Sequence, residues 1–564
     1  MWEPWGLGPV FDYEWLTVSR RWQLYAARSA LVAVILFVLT LMWKEHVDRQ
    51  HLSGRKATEE LGEQFYNGLI SVELTFILLA APAATAGAIC VDKARGTLLH
   101  VFLTDLADAE IVLGKLAARL VPVLGLIGCS APVAFLCILM GGIDPEALAG
   151  AFLVILGIGI FGCALAFVLS LWATKAHEVL LATYLVWLLV LLAYPLAWAL
   201  NQLGVLSTSP RALLYVSPYW LAFAPYSNPG EVTGHDYFLY LGGCLLCSAA
   251  CVLLATWRMR RVVIRQASRA TASILKPRRK QRFGPALDKN PLLWLEWHRR
   301  RPSRWSRWVW RIYIGLAVMF SVLGVLEKNS VRPRGDLATI VIVVEVVVGF
   351  LLLSVYAPAP LAEDRTHATL DVLLTTPAST ASILWAKWRA GYRSVLLVSL
   401  LPVLTLCGIP FGPGTDRWTG TFLFLGLMLA YGAGITSWGL YVATWTARVG
   451  WAVLWSVAAY VFMTIGWIML IQLFRGPRPH DMWDMGSPFG GTVILTEALE
   501  THYPQLHLAR ALEGAIWWMV VYFVVAGILF LLTWATFDRR LGRMTNRPRP
   551  RQQNKVRPAE TSTA

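Results

Sequence analysis

The feature that most constrains this chain is its series of long apolar runs. Several extend for about 20 residues, the length a helix needs to cross a bilayer. We read twelve, near residues 24–43, 68–91, 116–141, 148–171, 179–200, 237–257, 308–326, 338–361, 394–411, 421–442, 451–474 and 514–536. Barrel strands would instead show as short alternating segments. The expected fold class is an all-α polytopic membrane protein of about 12 transmembrane helices. Composition agrees: of 564 residues, 57% are hydrophobic and 15% charged, against about 25% charged in a typical soluble domain. The opening stretch MWEPWGLGPVFDYEWL has no basic residue, so insertion is expected to use the first span itself rather than a cleaved leader.

Net charge is +16, and its distribution sets the expected topology. With both termini cytosolic, most of the Lys and Arg residues fall in or beside cytosolic segments, which is the positive-inside bias. Much of the excess lies in the segment WRMRRVVIRQASRATASILKPRRKQRFG and the tail DRRLGRMTNRPRPRQQNKVRP. Attraction to anionic lipid headgroups accounts for such runs, and no specific nucleic-acid partner is expected.

The chain repeats itself at an offset of 272 residues. Glu73 matches Glu345, Asp92 matches Asp364, Lys93 matches Arg365, and Thr97-Leu98 matches Thr369-Leu370. Ile111 matches Ile383, Lys115 matches Lys387, and Thr174 matches Thr446. Other landmarks recur with small shifts: Glu14-Trp15 and Glu296-Trp297 before the first span of each half, and Ser217-Pro218 and Ser487-Pro488 in the later outer loops. Six spans return the chain to the side where it began, so the two halves are expected to be parallel repeats about an axis along the membrane normal. The expected units are residues 1–257 (first six-span half), 258–290 (basic cytosolic linker), 291–537 (second half) and 538–564 (basic tail). The Trp-, Leu- and Arg-rich segments before spans one and seven suit helices lying in the membrane interface.

Between spans two and three the chain reads DKARGTLLHVFLTDLADAEIVLGK, and between spans eight and nine DRTHATLDVLLTTPASTASILWAK. Each begins with a charged cluster, Asp92, Lys93 and Arg95, or Glu363, Asp364 and Arg365. Leu98 and Phe102 then fall at helical spacing, with Leu106 next if the helix persists. A turn follows. Pro377 disfavours helix at Thr376, and Thr376 and Ser379 suit capping of the next helix. Asp105 and Asp108 are expected to do the same in the first half. Each half thus presents a short amphipathic helix, a turn and a helix that re-enters the membrane past Lys115 or Lys387. Two symmetric copies fit docking to a two-fold partner; lying on the lipid surface is the alternative.

These segments, the pre-span Pro…Glu-Trp…Arg pattern and the Ser-Pro-aromatic motifs resemble those of ABC-2 type transporter permeases, the membrane subunits of type-2 ABC exporters. The likeness covers most of both halves and is closest at TLDVLLTTPAST; the first copy has TDLAD in place of the proline turn. The resemblance implies a permease subunit with an interfacial pre-span helix and a cytosolic coupling helix in each half. It implies coupling at Gly96 to Leu103 and Ala368 to Thr375, with Asp92, Lys93, Arg95, Gly96, Thr97, Leu98, Phe102, Glu363, Asp364, Arg365, Thr369, Leu370 and Leu374 as the residues that meet the partner. That partner would be a separate cytosolic ABC ATP-binding subunit, in two copies, which would bind the ATP and Mg. Residence in the plasma (inner) membrane of a bacterium, an unidentified substrate and no cofactor in this chain follow from the same likeness. A major-facilitator-like secondary transporter is the alternative, since that fold also has two parallel six-span halves.

No nucleotide-binding motif is evident. Gly114-Lys115 is followed by Leu116, where a P-loop needs Ser or Thr, and LSGRK at Leu52 soon departs from an ABC signature, so this chain is not expected to be an enzyme. Glu73 and Glu345 stand in apolar runs, where a carboxylate costs about 2.5–3.5 kcal/mol on insertion scales. They are read either as pathway-lining or as structural and interfacial groups. Cys244, Cys247 and Cys251 share a helical face and read as packing residues. His235, Asp236, His480, Asp481, Asp484 and His502 show no zinc pattern, and Ser217 and Ser487 read as turn residues. No catalytic or metal-binding residues are expected.

Overall fold

The computed structural model describes residues 8–20, 22–48, 55–140, 143–173, 175–202, 211–273, 291–299, 304–329, 337–366, 369–410, 417–446, 449–475, 482–500 and 505–541. Among these residues every regular element is helical. Twelve helices are long and apolar enough to cross a membrane: Leu24–Lys44, Glu60–Lys93, Asp108–Leu139, Pro145–Trp172, Ala176–Trp198, Gly234–Val262, Arg307–Lys328, Leu337–Arg365, Thr380–Gly408, Trp418–Trp445, Val449–Ile471 and Ala509–Leu541. We number them spans one to twelve. In lipid each backbone N–H and C=O must be satisfied within the protein, which a helix does within itself. The protein is an all-α polytopic membrane protein.

Each half is preceded by a short helix, Gly8–Ser19 before span one and Pro291–Arg299 before span seven. The first packs along span three and the second along span nine. The halves meet with approximate two-fold symmetry. Span five packs on spans seven and eight, span eleven on spans one and two, and spans five and eleven touch each other. A single buried apolar cluster crosses this seam, joining Leu31, Leu74 and Leu181 to Leu361, Val449 and Val453.

Regularity is broken at matching places. Span two turns at Ala86, between helices ending at Thr85 and starting at Gly87, and span eight at Ala357-Pro358. Gly439 of span ten sits against the second break, where an added Cβ would come 3.0 Å from the Pro358 nitrogen. Span five carries Pro195 within its helix. The matching stretch of span eleven is a turn of π-helix, Phe462–Gly466. Both devices release backbone groups from the α-ladder. In span eleven the Thr464 carbonyl accepts the Ser487 hydroxyl at 2.5 Å.

Ser217 and Ser487 are N-caps. Ser217 accepts the Trp220 N–H at 3.4 Å and Ser487 the Phe489 N–H at 3.1 Å, each followed by proline at the first helical position. Two expected boundaries shift. The helix of span six continues to Ser273, well past residue 258 where the linker was expected to begin. That of span twelve runs to Leu541. The remainder of the linker, 274–290, and of the tail, 542–564, lies outside the described residues, as do Leu52, Thr174, His480, Asp481 and His502.

Candidate functional site

The two segments that follow spans two and eight form paired hinges at one end of the bundle. In the first, the helix ending at Arg95 stops because Gly96 adopts φ 74, a left-handed conformation that favours glycine. A five-residue helix follows, Thr97–Val101, and a six-residue helix, Thr369–Leu374, stands in the second hinge. Each is pinned by one leucine. Leu98 is buried in a cluster with Ile111, Val112, Leu171 and Met259. Leu370 is buried in a cluster with Ile383, Leu384 and Phe537. Phe102 and Leu374 are half-buried, and Arg260 lies over the Phe102 ring. The first helix ends before Phe102, so Leu106 does not extend its face. The outward tips are apolar, with Leu103 84% and Val372 69% exposed.

The turns close differently from expectation in the first half. Asp105 is exposed, and Asp108 is the first residue of the next helix, where it pairs with Arg260 at 3.1 Å. Glu110 accepts the Ala107 N–H at 3.1 Å, as the third helical residue does in a capping box. In the second half Ser379 caps as expected, accepting the Ser382 N–H at 3.2 Å. Thr376 instead closes the preceding turn, donating to the Leu373 carbonyl at 2.6 Å.

Behind each hinge lies an ion cluster that unites three elements. In the first half, the Lys115 ammonium at the start of span three is 2.6 Å from Asp92 and 2.6 Å from Glu14 of the pre-span helix, and Arg119 donates to Glu14 at 3.0 Å. In the second half Lys387 pairs with Asp364 and, at 2.9 Å, with Glu296. Lys115 and Lys387 are both buried. Burial pushes the Glu14 carboxyl up, but the Lys115 and Arg119 cations outweigh it and hold the group below its usual range.

The next residue along has a second shared task. Lys93 donates to the Leu171 and Ala173 carbonyls at 2.8 and 2.6 Å, and Arg365 donates to those of Ala443, Thr444 and Thr446 at 3.0–3.1 Å. Each cation therefore caps the C-terminal end of the fourth span of its half, satisfying orphan carbonyls and complementing the helix dipole. Glu363 does something its first-half counterpart, Val91, cannot. It crosses the seam to Lys175 at 2.6 Å and to His177.

The structure thus brings Asp92, Asp364, Lys93, Arg365 and Glu363 into contacts within the chain, while the leucines anchor the hinge helices. The side chains of Arg95 and Thr369, and all of Ala368, lie outside the described residues, and Thr97 is exposed. Lys115, Lys387, Glu14 and Glu296 belong to the site although the sequence marks them only as landmarks of the repeat. Lys175 and His177 carry no such signal, because position 449, which matches His177, holds valine.

Glu73 and Glu345 lie far from the hinges. Ser130 donates to Glu73 at 2.6 Å, and the second carboxyl oxygen of Glu73 is buried without a hydrogen-bond partner. Glu345 accepts from the hydroxyls of Ser321 and, at 3.2 Å, Thr405. Among the described residues no group of His, Cys, Asp and Glu is arranged to hold a metal ion.

No protein-family model matches the chain. No curated protein matches it significantly.

Proposed function

We propose that this chain is the transmembrane permease subunit of an ATP-binding cassette transporter, resident in a bacterial plasma membrane with both termini cytosolic. Twelve apolar helices suit a polytopic membrane transporter. The observation that carries the narrower reading is the pair of hinges. Each offers an exposed apolar tip, Leu103 in the turn after the first short helix or Val372 on the second, and in each the end of the preceding span is bound by ions to the pre-span helix and the following span. A tip so mounted passes a push from a two-fold partner into three elements of its half. In this reading two copies of a separate ABC ATP-binding subunit dock at the tips and supply ATP hydrolysis with Mg. Asp92, Lys93, Glu363, Asp364 and Arg365 act behind the docking surface, as the frame of the hinges. A secondary transporter has no partner to engage and no need of paired tips.

The test is purification of the tagged chain from native membranes in mild detergent. A stoichiometric ABC ATPase should co-purify. Its absence, together with proton-coupled uptake by the purified chain alone, would overturn the reading in favour of a secondary transporter.

A further inference from the structure

Arg28 stands inside span one, about 6 Å along the helix from Leu24 at 1.5 Å per residue. A guanidinium in an apolar span is costly unless it is paired or reaches the interface. The cations around the hinges are all paired. Lys115, Arg119 and Lys387 have carboxylates, and Lys93 and Arg365 have helix-end carbonyls. Among the described residues Arg28 has neither a hydrogen bond nor an ion pair. Its charge meets the Tyr25 ring, 5.8 Å from the centroid.

The guanidinium nevertheless has a seat. It lies on Gly125 of span three, where an added Cβ would come 2.3 Å from a terminal nitrogen and 3.0 Å from the guanidinium carbon. Its Nε is buried without a partner. The two terminal nitrogens, equally unpartnered, are not buried. Trp22 and Tyr25 on span one and Leu124 on span three are exposed beside it, so this flank faces the bilayer, with aromatic rings at the depth where such rings meet headgroups. The second half has no such site. At the offset that matches Glu14 with Glu296, position 28 becomes Trp310, and at the offset of 272 position 125 becomes Leu397. The cation and its seat are absent together.

We propose that Arg28, seated on Gly125, binds the phosphodiester of an anionic phospholipid in the leaflet on the hinge side. The free terminal nitrogens form a planar fork that matches two phosphate oxygens, and the long side chain lets the charge reach headgroup depth. One unpaired cation balances one negative charge. A choline headgroup would instead bring a second cation toward the guanidinium, where Arg28 has no carboxylate beside it. A soluble anion would have to leave water for a flank lined by Leu124 and aromatic rings. A lipid held there bridges spans one and three of the first half alone. The site does not depend on the permease reading and needs no partner subunit.

The experiment titrates the delipidated full chain in mild detergent with phosphatidylglycerol and reads bound lipid by native mass spectrometry. One saturable phosphatidylglycerol is expected, held about tenfold less tightly in Arg28→Gln, as loss of a charge-assisted hydrogen bond implies. Arg28→Lys should recover part of that loss. Gly125→Ala keeps the charge but fills its seat, and should also weaken binding. Arg20→Gln removes an exposed cation outside the seat and should change nothing. Unchanged retention in a monodisperse Arg28→Gln protein would overturn the proposal; if that variant does not fold, unchanged retention in Gly125→Ala would do so. An equal loss in Arg20→Gln would reduce the effect to general surface attraction and overturn the site. Equal retention of phosphatidylcholine, or displacement of the lipid by millimolar inorganic phosphate, would overturn the anionic-lipid assignment.

Discussion

Lys175 donates to Glu363 across 2.6 Å and thereby ties the loop before span five in the first half to the end of span eight in the second. His177 meets the other oxygen of the same carboxylate. At the matching seam Val91 and Val449 replace Glu363 and His177, and a cavity of about 250 Å³ opens between span eleven and the first half. At their hinge-side ends the two seams are therefore unlike: one is tied by ions, the other lined by valines beside a void.

Removing the tie should loosen one seam. Lys175→Ala and Glu363→Gln are each expected to lower the apparent melting temperature in detergent. The double variant should lose less than the sum, with a coupling on the order of 1 kcal/mol. Strict additivity would mean that the pair does not join the halves in solution.

The two ion clusters should differ in sensitivity. Lys387→Met strips the cation from buried Glu296 and half-buried Asp364, a change that costs about 3–5 kcal/mol when a buried pair is broken. Lys115→Met leaves Arg119 in place on Glu14 and should cost less. Equal yields of monodisperse protein after heating both variants would contradict this ordering.

Acid should weaken the first cluster. The Glu14 carboxyl titrates below its reference value of 4.5 in the folded protein, so the unfolded chain takes up the proton more readily. Its contribution is full above about pH 4.5 and is lost as pH falls through the lower folded value. The melting-temperature gap between wild type and Glu14→Gln should therefore be constant near neutrality and shrink in acid.

Close packing makes one glycine irreplaceable. Gly439→Ala places a methyl 2.6 Å from the Ala357 side chain and 3.0 Å from the Pro358 nitrogen, with an expected loss of about 1–3 kcal/mol. Gly243→Ala meets nothing within 4 Å, and helix propensity favours it by up to about 1 kcal/mol. Thermal unfolding of the two variants, run side by side, separates the cases.

The exposed tips should matter to a partner and not to folding. Leu103→Asp and Val372→Asp together are expected to abolish co-purification of an ATPase while leaving the elution profile of the chain unchanged. Retained co-purification would place docking elsewhere.

The spans were legible because an apolar run of bilayer length has few alternatives, and all twelve expected runs fall on helices. The paired lysines were visible through register: Lys115 and Lys387 stand at one offset from each other, as do Asp92 and Asp364. Their shared ion clusters were not visible, because Glu14 lies far from Lys115 in sequence and meets it only when the pre-span helix packs on span three. The capping by Lys93 and Arg365 was hidden for a similar reason, since backbone carbonyls carry no sequence signature. Glu110 was missed because aspartates at Asp105 and Asp108 compete for the same role on paper. Lys175 and His177 escaped because the repeat does not duplicate them.

Each ion cluster has a mechanical consequence. A lysine that holds one carboxylate on the pre-span helix and another at the end of the second span rivets three elements at one point, so the base of a hinge has little compliance. A load applied at Leu103 or Val372 is then not absorbed where it lands. It travels as a torque on the whole riveted unit, and the bending falls on the softer joints higher in the bundle: Ala86, Ala357-Pro358, Pro195 and the π-turn of span eleven.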